Sequence, residues 1–412
     1  MTETVLAHHL DLIAAMSRSF ATSFNLDESL RLGLSRIAEA LSAEAASLFL
    51  LEGDELVCHA CAGPVDITGI KISAKHGIVG RTVAEGASRM VRDVRADPDF
   101  HGGVDTTTGF VTRSILCAPL SVKDQTVGAI ELINKKGGDG LFALGDLRVL
   151  EALANAAALA ILNARMALAQ VEQETLKREL ELAATIQRSL LPEARPAPFP
   201  IAGINRPARQ VSGDFYDIMP LADGRIWFCL GDVSGKGMNA ALLMAKTASL
   251  FRCLGKDLGP PGQLMARLND ELCETASFGM FVTAVVGLYD PAGDRVVMAN
   301  AGHEPPQLYR QGAFTAFEAE APPLGIVPGA EFAEIELALD GGCLYVFTDG
   351  LTESSAVDGE FLGLDKVLNL IARESGRPLV ERLERLVAAV ERPGHPLRDD
   401  LTILAVEGSR QP

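Results

Sequence analysis

The sequence has few cysteines, no surplus of basic charge and no long uncharged apolar run. Its seven cysteines are an odd and scattered set within 412 residues, which predicts a reducing compartment and no disulfide framework. A formal charge of −17 argues against nucleic acid or an anionic membrane as the main partner. No uncharged apolar run reaches the roughly 18 residues of a membrane span, and the start, MTETVLAHHLDL, does not resemble a signal peptide. We therefore expect a cytoplasmic protein with neither nucleic acid nor membrane as partner.

Apolar residues are abundant, at 48% of the chain, which is enough to build cores for two or three domains. Up to about residue 143, a helical pattern is followed by strand-like runs such as AASLFLL, SILCAPLSV and VGAIELINK. This order predicts an α+β domain. A single C-x-x-C pair, Cys58 and Cys61, lies in one such run. We interpret the pair as small buried residues rather than as a metal or redox site.

The segment from Leu147 to Leu190 has neither Gly nor Pro and is rich in strong helix formers. Its apolar residues step by three and four and form a heptad seam: Leu147, Leu150, Ala154, Ala157, Ile161, Ala164, Leu168 and Val171. The seam then shifts by one residue and continues through Leu176, Leu180, Ala183, Gln187 and Leu190. Because no globular domain remains here to cover the stripe, we expect a two-chain coiled coil and a homodimer. One long helix packed on the chain's own domains is the alternative. The helix is expected to end at Leu191-Pro192.

Aspartates stand at the ends of apolar runs in the C-terminal half. Asp232 ends RIWFCLG, Asp349 ends CLYVFT, and Asp399 with Asp400 precedes LTILAV. If the last strand runs antiparallel to the other two, all these acids gather at one end of a sheet. A further acid, Asp214, lies in the strand-like run QVSGDFYDIM. Clustered carboxylates repel one another, and hard divalent cations relieve that repulsion, so we predict a magnesium or manganese site.

The glycine-rich segment GDVSGKGMNAALLMAK is not a nucleotide-binding P-loop, because Lys236 is followed by Gly237 instead of Ser or Thr. Its glycines favour a backbone that bends close to a metal, with the Val233 carbonyl facing the ion. His303, in NAGHEPP, fits a loop histidine bonded to backbone better than a general acid. Lys236 is a candidate contact for a substrate phosphate, and no arginine is identifiable as a phosphate clamp.

With these motifs in view, the C-terminal half resembles the metal-dependent protein phosphatase (PPM) family in its SpoIIE-like branch. The matching pieces occur in the family's order over about 220 residues: IQRSLLP, VSGDFYD, GDVSGKGMNAALLMA, NAGHEPP, VFTDGLTE and RDDLTILAV. The resemblance implies an αββα sandwich with two Mn²⁺ or Mg²⁺ ions.

The resemblance also implies a role for each matched residue. Asp232 would bridge both ions, the Val233 carbonyl would touch the second, and Asp349 and Asp399 would hold the first. Asp214 would act on the second ion directly or through water. Whether Asp399 or Asp400 is the direct ligand stays open. Two such ions lower the pKa of a bridging water and neutralise the phosphoryl oxygens during in-line attack.

The N-terminal segment resembles a GAF domain over about 140 residues. Asn134-Lys135, Phe142 and Asp146 follow the pattern of GAF domains that bind cyclic nucleotides, although Leu147 replaces the usual final Glu. The pattern mainly stabilises the fold. A GAF domain without that ligand, or one used for dimer contacts, is therefore the favoured interpretation, and a cyclic nucleotide or another small ligand stays open.

The resulting hypothesis has three parts: a GAF sensor over residues 1–146, a helical linker over 147–191 and a phosphatase domain over 192–412. We expect a signal-regulated serine/threonine phosphatase whose substrate is a phosphorylated anti-sigma-factor antagonist or similar regulator. Asp214, Asp232, Asp349 and Asp399 are its predicted catalytic residues. The rival hypothesis is a receptor for a cyclic nucleotide or other small ligand with a catalytically inactive, phosphatase-like output domain.

Overall fold

The computed structural model describes residues 26–193, 198–256, 259–275, 279–354, 362–391 and 397–409. The chain divides into two compact units, Met1–Glu174 and Thr175–Pro412. Both units combine helices with antiparallel sheets, which confirms the predicted α+β class.

The first unit is built on one six-stranded antiparallel sheet in the order β3-β2-β1-β6-β5-β4. Its strands are β1 (Ala43–Glu52), β2 (Glu55–Ala62), β3 (Lys71–Ser73), β4 (Arg89–Val91), β5 (Ile115–Val122) and β6 (Gln125–Lys135). Its helices are α1 (Leu26–Ala40), α2 (Gly77–Glu85), α3 (Gly103–Thr108) and the first part of α4 (Leu144–Leu190), with a 3-10 turn at Val94–Ala96.

Each face of this sheet has its own apolar core. On one face, α1 and the first turns of α4 pack on the sheet through residues such as Leu34, Leu132 and Leu153. On the other face, α2 packs through Ile78 and Val83 against Phe49 and Cys117. The alternation of buried side chains along β6 therefore supplies both cores.

The residues of the predicted GAF pattern hold the fold together. Lys135 Nζ donates to Asp146 Oδ1 at 2.9 Å and lies 5.7 Å from the centroid of the buried Phe142 ring. Asn134 Oδ1 accepts the Arg113 N–H at 2.7 Å. The Lys135 contacts tie β6 to the start of α4, and the Asn134 contact ties it to the segment before β5, as expected of residues that stabilise the fold.

Cys58 is buried, as predicted, but Cys61 is only half-buried, and its thiol donates to Asp66 Oδ1 at 3.1 Å. Neither cysteine forms a disulfide with another described residue.

Helix α4 is 47 residues long and ends at Leu190, as the Leu191-Pro192 signal predicts. The expectation that no globular domain covers its apolar stripe is wrong for the first half. Leu150 and Ile161 are fully buried in the core of the first unit, while Leu168 and Leu182 are exposed by 65% and 63%. The alternative, packing on the chain's own domain, holds up to Ile161. Only the later part of the stripe is accessible to a partner.

By length and composition alone, α4 could cross a membrane, since it contains an 18-residue window with a mean hydropathy of 1.5. About 28% of that window is buried inside the protein. Burial against the N-terminal core gives these apolar residues a role in a folded domain, so the window is weak evidence for a membrane span.

The second unit contains two five-stranded antiparallel sheets, ordered β14-β11-β10-β9-β8 and β13-β12-β15-β16-β7. Its strands are β7 (Ile201–Arg206), β8 (Phe215–Pro220), β9 (Ile226–Val233), β10 (Val282–Asp290), β11 (Arg295–Ala301), β12 (Gln307–Arg310), β13 (Ala313–Ala316), β14 (Ile335–Ala338), β15 (Cys343–Phe347) and β16 (Leu401–Glu407). Its helices, besides the end of α4, are α5 (Met238–Leu254), α6 (Pro261–Thr275), α7 (Asp349–Thr352), α8 (Gly363–Glu374) and α9 (Leu379–Val390).

The two sheets pack face to face through residues such as Phe228, Val285 and Leu404. Helices α5 and α6 cover the outer face of the first sheet, and α8 and α9 cover that of the second. This arrangement confirms the expected αββα sandwich.

Candidate active site

Two of the predicted site residues lie at the end of the first sheet. Asp232 and Val233 are the last residues of β9, and Asp214 immediately precedes β8, which pairs with β9. Gly213 keeps this corner open, because a methyl group there would come within 3.2 Å of the Val233 carbonyl oxygen. The backbone at Gly213 therefore leaves room beside Asp232 and the Val233 carbonyl.

The other predicted acids lie at the end of the second sheet. Asp349 begins α7 just after β15, and Asp399 and Asp400 precede β16. Strands β15 and β16 pair antiparallel, as predicted, but β9 belongs to the other sheet. The expectation that all these acids lie at one end of a single sheet is therefore wrong, because they lie at the ends of two sheets. Gly350 allows the segments after β15 and before β16 to touch, because a β-carbon there would lie 1.9 Å from the Asp400 carbonyl oxygen. The T-D-G sequence thus brings Asp349 next to the Asp399–Asp400 pair.

The carboxylates of the two sheets are close enough to influence one another. Burial raises the pKa of Asp232 to about 6. A hydrogen bond with the Asp214 carboxyl opposes this rise in pKa, whereas repulsion from Asp349, Asp399 and Asp400 adds to the rise. Burial also raises the pKa of Asp349, with Asp399 as the largest charged neighbour. The cluster therefore has negative charge that the protein does not fully compensate.

Asp214 is the most deeply placed acid, with 2% of its surface exposed. The Thr348 hydroxyl donates to Asp214 Oδ2 at 2.7 Å and accepts the Thr402 N–H at 3.0 Å. Burial, followed by the charge of Asp232, raises the pKa of Asp214 well above its usual range. Thr348 and Thr402 were not identified from the sequence as residues of this site. The available signal was their position in the chain, because Thr348 directly precedes Asp349 and Thr402 lies two residues after Asp400.

Asp399 and Asp400 have different surroundings. The two carboxylate oxygens of Asp400 accept the backbone N–H groups of Ala208 and Gly213, each at 2.7 Å. Asp399 Oδ2 instead accepts a hydrogen bond from Lys236 Nζ at 2.7 Å, on the accessible side of the cluster. Asp400 thus anchors the loop that carries Asp214. Asp399 accepts the N–H of Asp400 at Oδ1, at 3.0 Å, and its other oxygen is engaged by the exposed Lys236.

Within the described residues, no three His, Cys, Asp or Glu side chains already converge at the spacing of metal ligands. The acids instead bond to other groups, namely Thr348, Lys236 and backbone amides. The donors are nevertheless all oxygen, four of the acids are half-buried, and Lys236 compensates only part of their charge. This donor set fits a hard divalent cation such as Mg²⁺ or Mn²⁺.

His303 is buried and bonded on both ring nitrogens. Nδ1 lies 2.9 Å from Thr283 Oγ1, and Nε2 lies 3.2 Å from the Phe347 carbonyl oxygen. Burial lowers the pKa of its imidazole to about 4. A neutral ring with both nitrogens engaged is a structural bridge between β10 and β15, in line with the favoured sequence interpretation.

The end of α4 is bonded directly to the loop before Asp214. Gln187 is buried; its Nε2 donates to the Ser212 carbonyl at 2.7 Å, and its Oε1 accepts the Ser212 N–H at 2.9 Å. Ala184, one turn earlier, packs against Val211 and Ala241. A movement of this end of the helix would therefore be transmitted to the loop that ends at Asp214.

Comparison with known proteins agrees with this architecture. Residues 222–408 match the family described as Stage II sporulation protein E (SpoIIE), and residues 25–161 match the GAF domain family. The chain joins a GAF domain to a SpoIIE-type domain. The GAF match ends at residue 161, where the burial of α4 against the first unit also ends.

Two curated relatives and one solved structure resemble the phosphatase half. Phosphoserine phosphatase RsbU of Bacillus subtilis is 29% identical over 241 residues, which cover 57% of this chain and 71% of that protein. Phosphoserine phosphatase RsbP of the same organism is 27% identical over a match that covers 56% of this chain and 58% of that protein. The match to the structure of the SiaA-PP2C domain of Pseudomonas aeruginosa covers 58% of this chain and 99% of the SiaA chain, with a TM-score of 0.51 and 22% identity. This last likeness shows the fold alone.

Proposed function

We propose that this protein is a signal-regulated phosphatase that removes phosphate from serine or threonine of a regulatory protein. The observation that carries the proposal is the cluster of incompletely compensated aspartates at the ends of both sheets of a SpoIIE-type domain. Relatives named phosphoserine phosphatases support the reaction class. A phosphorylated anti-sigma-factor antagonist is the substrate that the resemblance favours.

Asp232, the Val233 carbonyl, Asp349 and Asp399 are the groups that we assign to two divalent cations. Such ions supply an activated water and neutralise phosphoryl charge. Asp399 is the better candidate than Asp400, since backbone N–H groups engage both oxygens of Asp400 but only one oxygen of Asp399. Asp214 is buried behind Asp232, which suits a role through water or through the orientation of Asp232.

We assign the substrate's phosphoryl group to the basic residues beside the cluster. The hydrogen bond to Asp399 raises the pKa of Lys236, and the positive charge of the exposed Arg209 nearby opposes part of that rise. Arg209 also lines a cavity of about 530 Å³ with Gln187 and Arg188. We therefore propose Arg209 as the phosphate-binding arginine that the sequence motifs did not identify. Arg209→Met should raise the KM for a phosphoprotein more than it lowers kcat.

We further propose that the active species is a cytoplasmic homodimer formed through the exposed stripe of α4. At 3.6 residues per turn, Leu168, Leu182 and Ile186 fall within an arc of about 40°. Each is exposed by 59% or more. An apolar stripe of this kind on a long helix favours a second helix as its cover.

The test of function is phosphate release by the full chain from a panel of serine-phosphorylated regulator proteins, with and without Mn²⁺. We expect release that depends on Mn²⁺ and stops in excess chelator. Release that persists in chelator would rule out the metal-dependent reaction. Absence of release from every phosphoprotein, together with none from p-nitrophenyl phosphate, would favour the catalytically inactive alternative.

A further inference from the structure

The GAF domain has a partly open cavity of about 670 Å³ that no part of the proposed function uses. Most of its lining is apolar, with Phe49, Ile78, Phe100 and Phe110 among the larger side chains. A cavity of this size accommodates a small organic molecule.

Glu131 is the unusual group in this lining. It lies on β6, on the face that also carries the buried Ala129, and only 8% of its surface is exposed. Its carboxylate has no hydrogen bond or ion pair with any described residue, although it faces the cavity. Burying an ionised carboxylate without a partner is costly, so the site favours a ligand that supplies one.

The charges around the cavity have one dominant sign. Asp105 also lines it, and burial followed by the charge of Asp105 raises the pKa of Glu131 to about 7. Among the described lining residues there is no arginine, and the one lysine, Lys71, bonds to Glu55 Oε2 at 3.1 Å. Two histidines, His76 and His101, also belong to this lining, and an anionic ligand would meet two acids and no unpaired lysine or arginine among the described lining residues. A cyclic nucleotide, whose phosphate needs a positive partner, is therefore disfavoured.

We propose that this cavity binds an apolar small molecule bearing an amine or amidine cation, with Glu131 as the partner of that cation. The aromatic and aliphatic walls take the apolar body, and the buried carboxylate accepts charge-assisted hydrogen bonds from the nitrogen. This inference concerns the sensor alone, so its outcome does not depend on the phosphatase reaction.

The test is calorimetry on the full chain with three probes of one shape: benzamidine, benzamide and benzoate. Benzamidine should bind at least about tenfold more tightly than benzamide, and benzoate should not bind, because only the amidinium pairs with the carboxylate. Equal binding of the three, tighter binding of benzoate, or no saturable binding of benzamidine at 10 mM would overturn the proposal. Saturable binding of cGMP or cAMP in the cavity would overturn it as well.

Glu131→Gln keeps the size of the side chain and removes its charge. It should abolish the preference for benzamidine over benzamide while leaving the weaker affinity for benzamide unchanged. Asp54→Asn is the matched control, since it removes one carboxylate from the same domain at a site 89% exposed and outside the cavity. A Glu131→Gln variant that retains the tenfold preference contradicts the assignment. If that variant does not fold, the three-probe comparison on the unaltered chain decides.

Discussion

The two domains place their incompletely compensated acids differently. The GAF domain buries one glutamate against the wall of a partly open cavity, while the SpoIIE domain gathers five aspartates at the accessible ends of two sheets. A single buried carboxylate can be satisfied by one donor group on a small molecule. A cluster of carboxylates requires cations of higher charge, because one hydrogen-bond donor cannot neutralise several carboxylates. The comparison separates a site suited to a small ligand from a site suited to divalent cations.

The largest effect is expected from the cluster itself. Asp232→Asn and Asp349→Asn should each lower phosphate release by about 100-fold or more, since each removes an anionic ligand while keeping the side-chain shape. Turnover with Mn²⁺ on a phosphoserine protein measures the loss. Asp340→Asn, at an exposed turn 61% accessible, is the control and should retain full activity. Unchanged turnover in either site variant would remove these acids from the reaction.

The next effect concerns the bond between α4 and the active-site loop. Gln187→Ala should lower kcat by about tenfold, because a displaced loop misplaces Asp214 and its neighbours. It should also cost about 1–3 kcal/mol in stability, since the Ser212 N–H and C=O lose their buried partner. Steady-state kinetics and thermal unfolding give the two values.

Gln173→Ala, at an exposed position on the same helix, is the matched control for Gln187 and should change neither value. A Gln187→Ala variant with lower stability but normal kcat would mean that the bond only supports the fold.

A smaller change in turnover, of several-fold, is expected from the exposed stripe of α4. Leu168→Asp combined with Leu182→Asp should separate the dimer, because like charges would face each other across the seam. Sedimentation measures the mass, and turnover is compared at the same protein concentration. Ile161 is unsuitable for this test, since it is buried in the GAF core.

The matched control for the stripe replaces two exposed apolar residues on the opposite side of the helix, Leu159 and Met166, by Asp. They lie about 160–180° from Leu168 at 3.6 residues per turn. If the variant with Asp at positions 159 and 166 is monomeric and the variant with Asp at positions 168 and 182 remains dimeric, the dimer interface lies on the face of α4 that carries Leu159 and Met166. A monomer with unchanged turnover would make the helix a passive connector.

The smallest effect is expected in the GAF core. Asp146→Asn should lower stability by about 1 kcal/mol, because the half-buried Lys135 loses its charged partner. Thermal unfolding followed by circular dichroism measures the shift of the first transition. Asp124→Asn, in an exposed turn, should leave it unchanged. Equal melting of the two variants would show that the pair contributes nothing measurable.

Much of this architecture could be predicted from the sequence, and the failures have physical reasons. The positions of Asp232, Asp349 and Asp399 at the ends of strands could be predicted from the apolar runs beside them, and the antiparallel pairing of β15 and β16 is confirmed. The burial of Leu150 and Ile161 was not predictable from the helix pattern, since a stripe covered by its own domain has the same periodicity as a coiled-coil seam.

Other features depend on contacts between residues far apart in the chain. Thr348 bonds to Asp214, 134 positions away, and Gln187 bonds to Ser212 across the end of a helix. In the sequence, Glu131 is an ordinary polar residue within a strand. Its burial without a hydrogen-bond partner among the described residues is seen only in the folded domain. Periodicity identifies faces and ends of elements, but it does not show which side chains meet across them.

The most direct test of the central claim, that the aspartate cluster is a divalent cation site, is a count of bound Mn²⁺ by electron paramagnetic resonance. The full chain should bind two ions per protomer with affinity sufficient for saturation at submillimolar Mn²⁺. Asp232→Asn should lose both, because this residue is assigned to bridge them, whereas Asp340→Asn should keep both. Two ions bound equally by Asp232→Asn and by the unaltered chain, or no ion bound by either, would contradict the account.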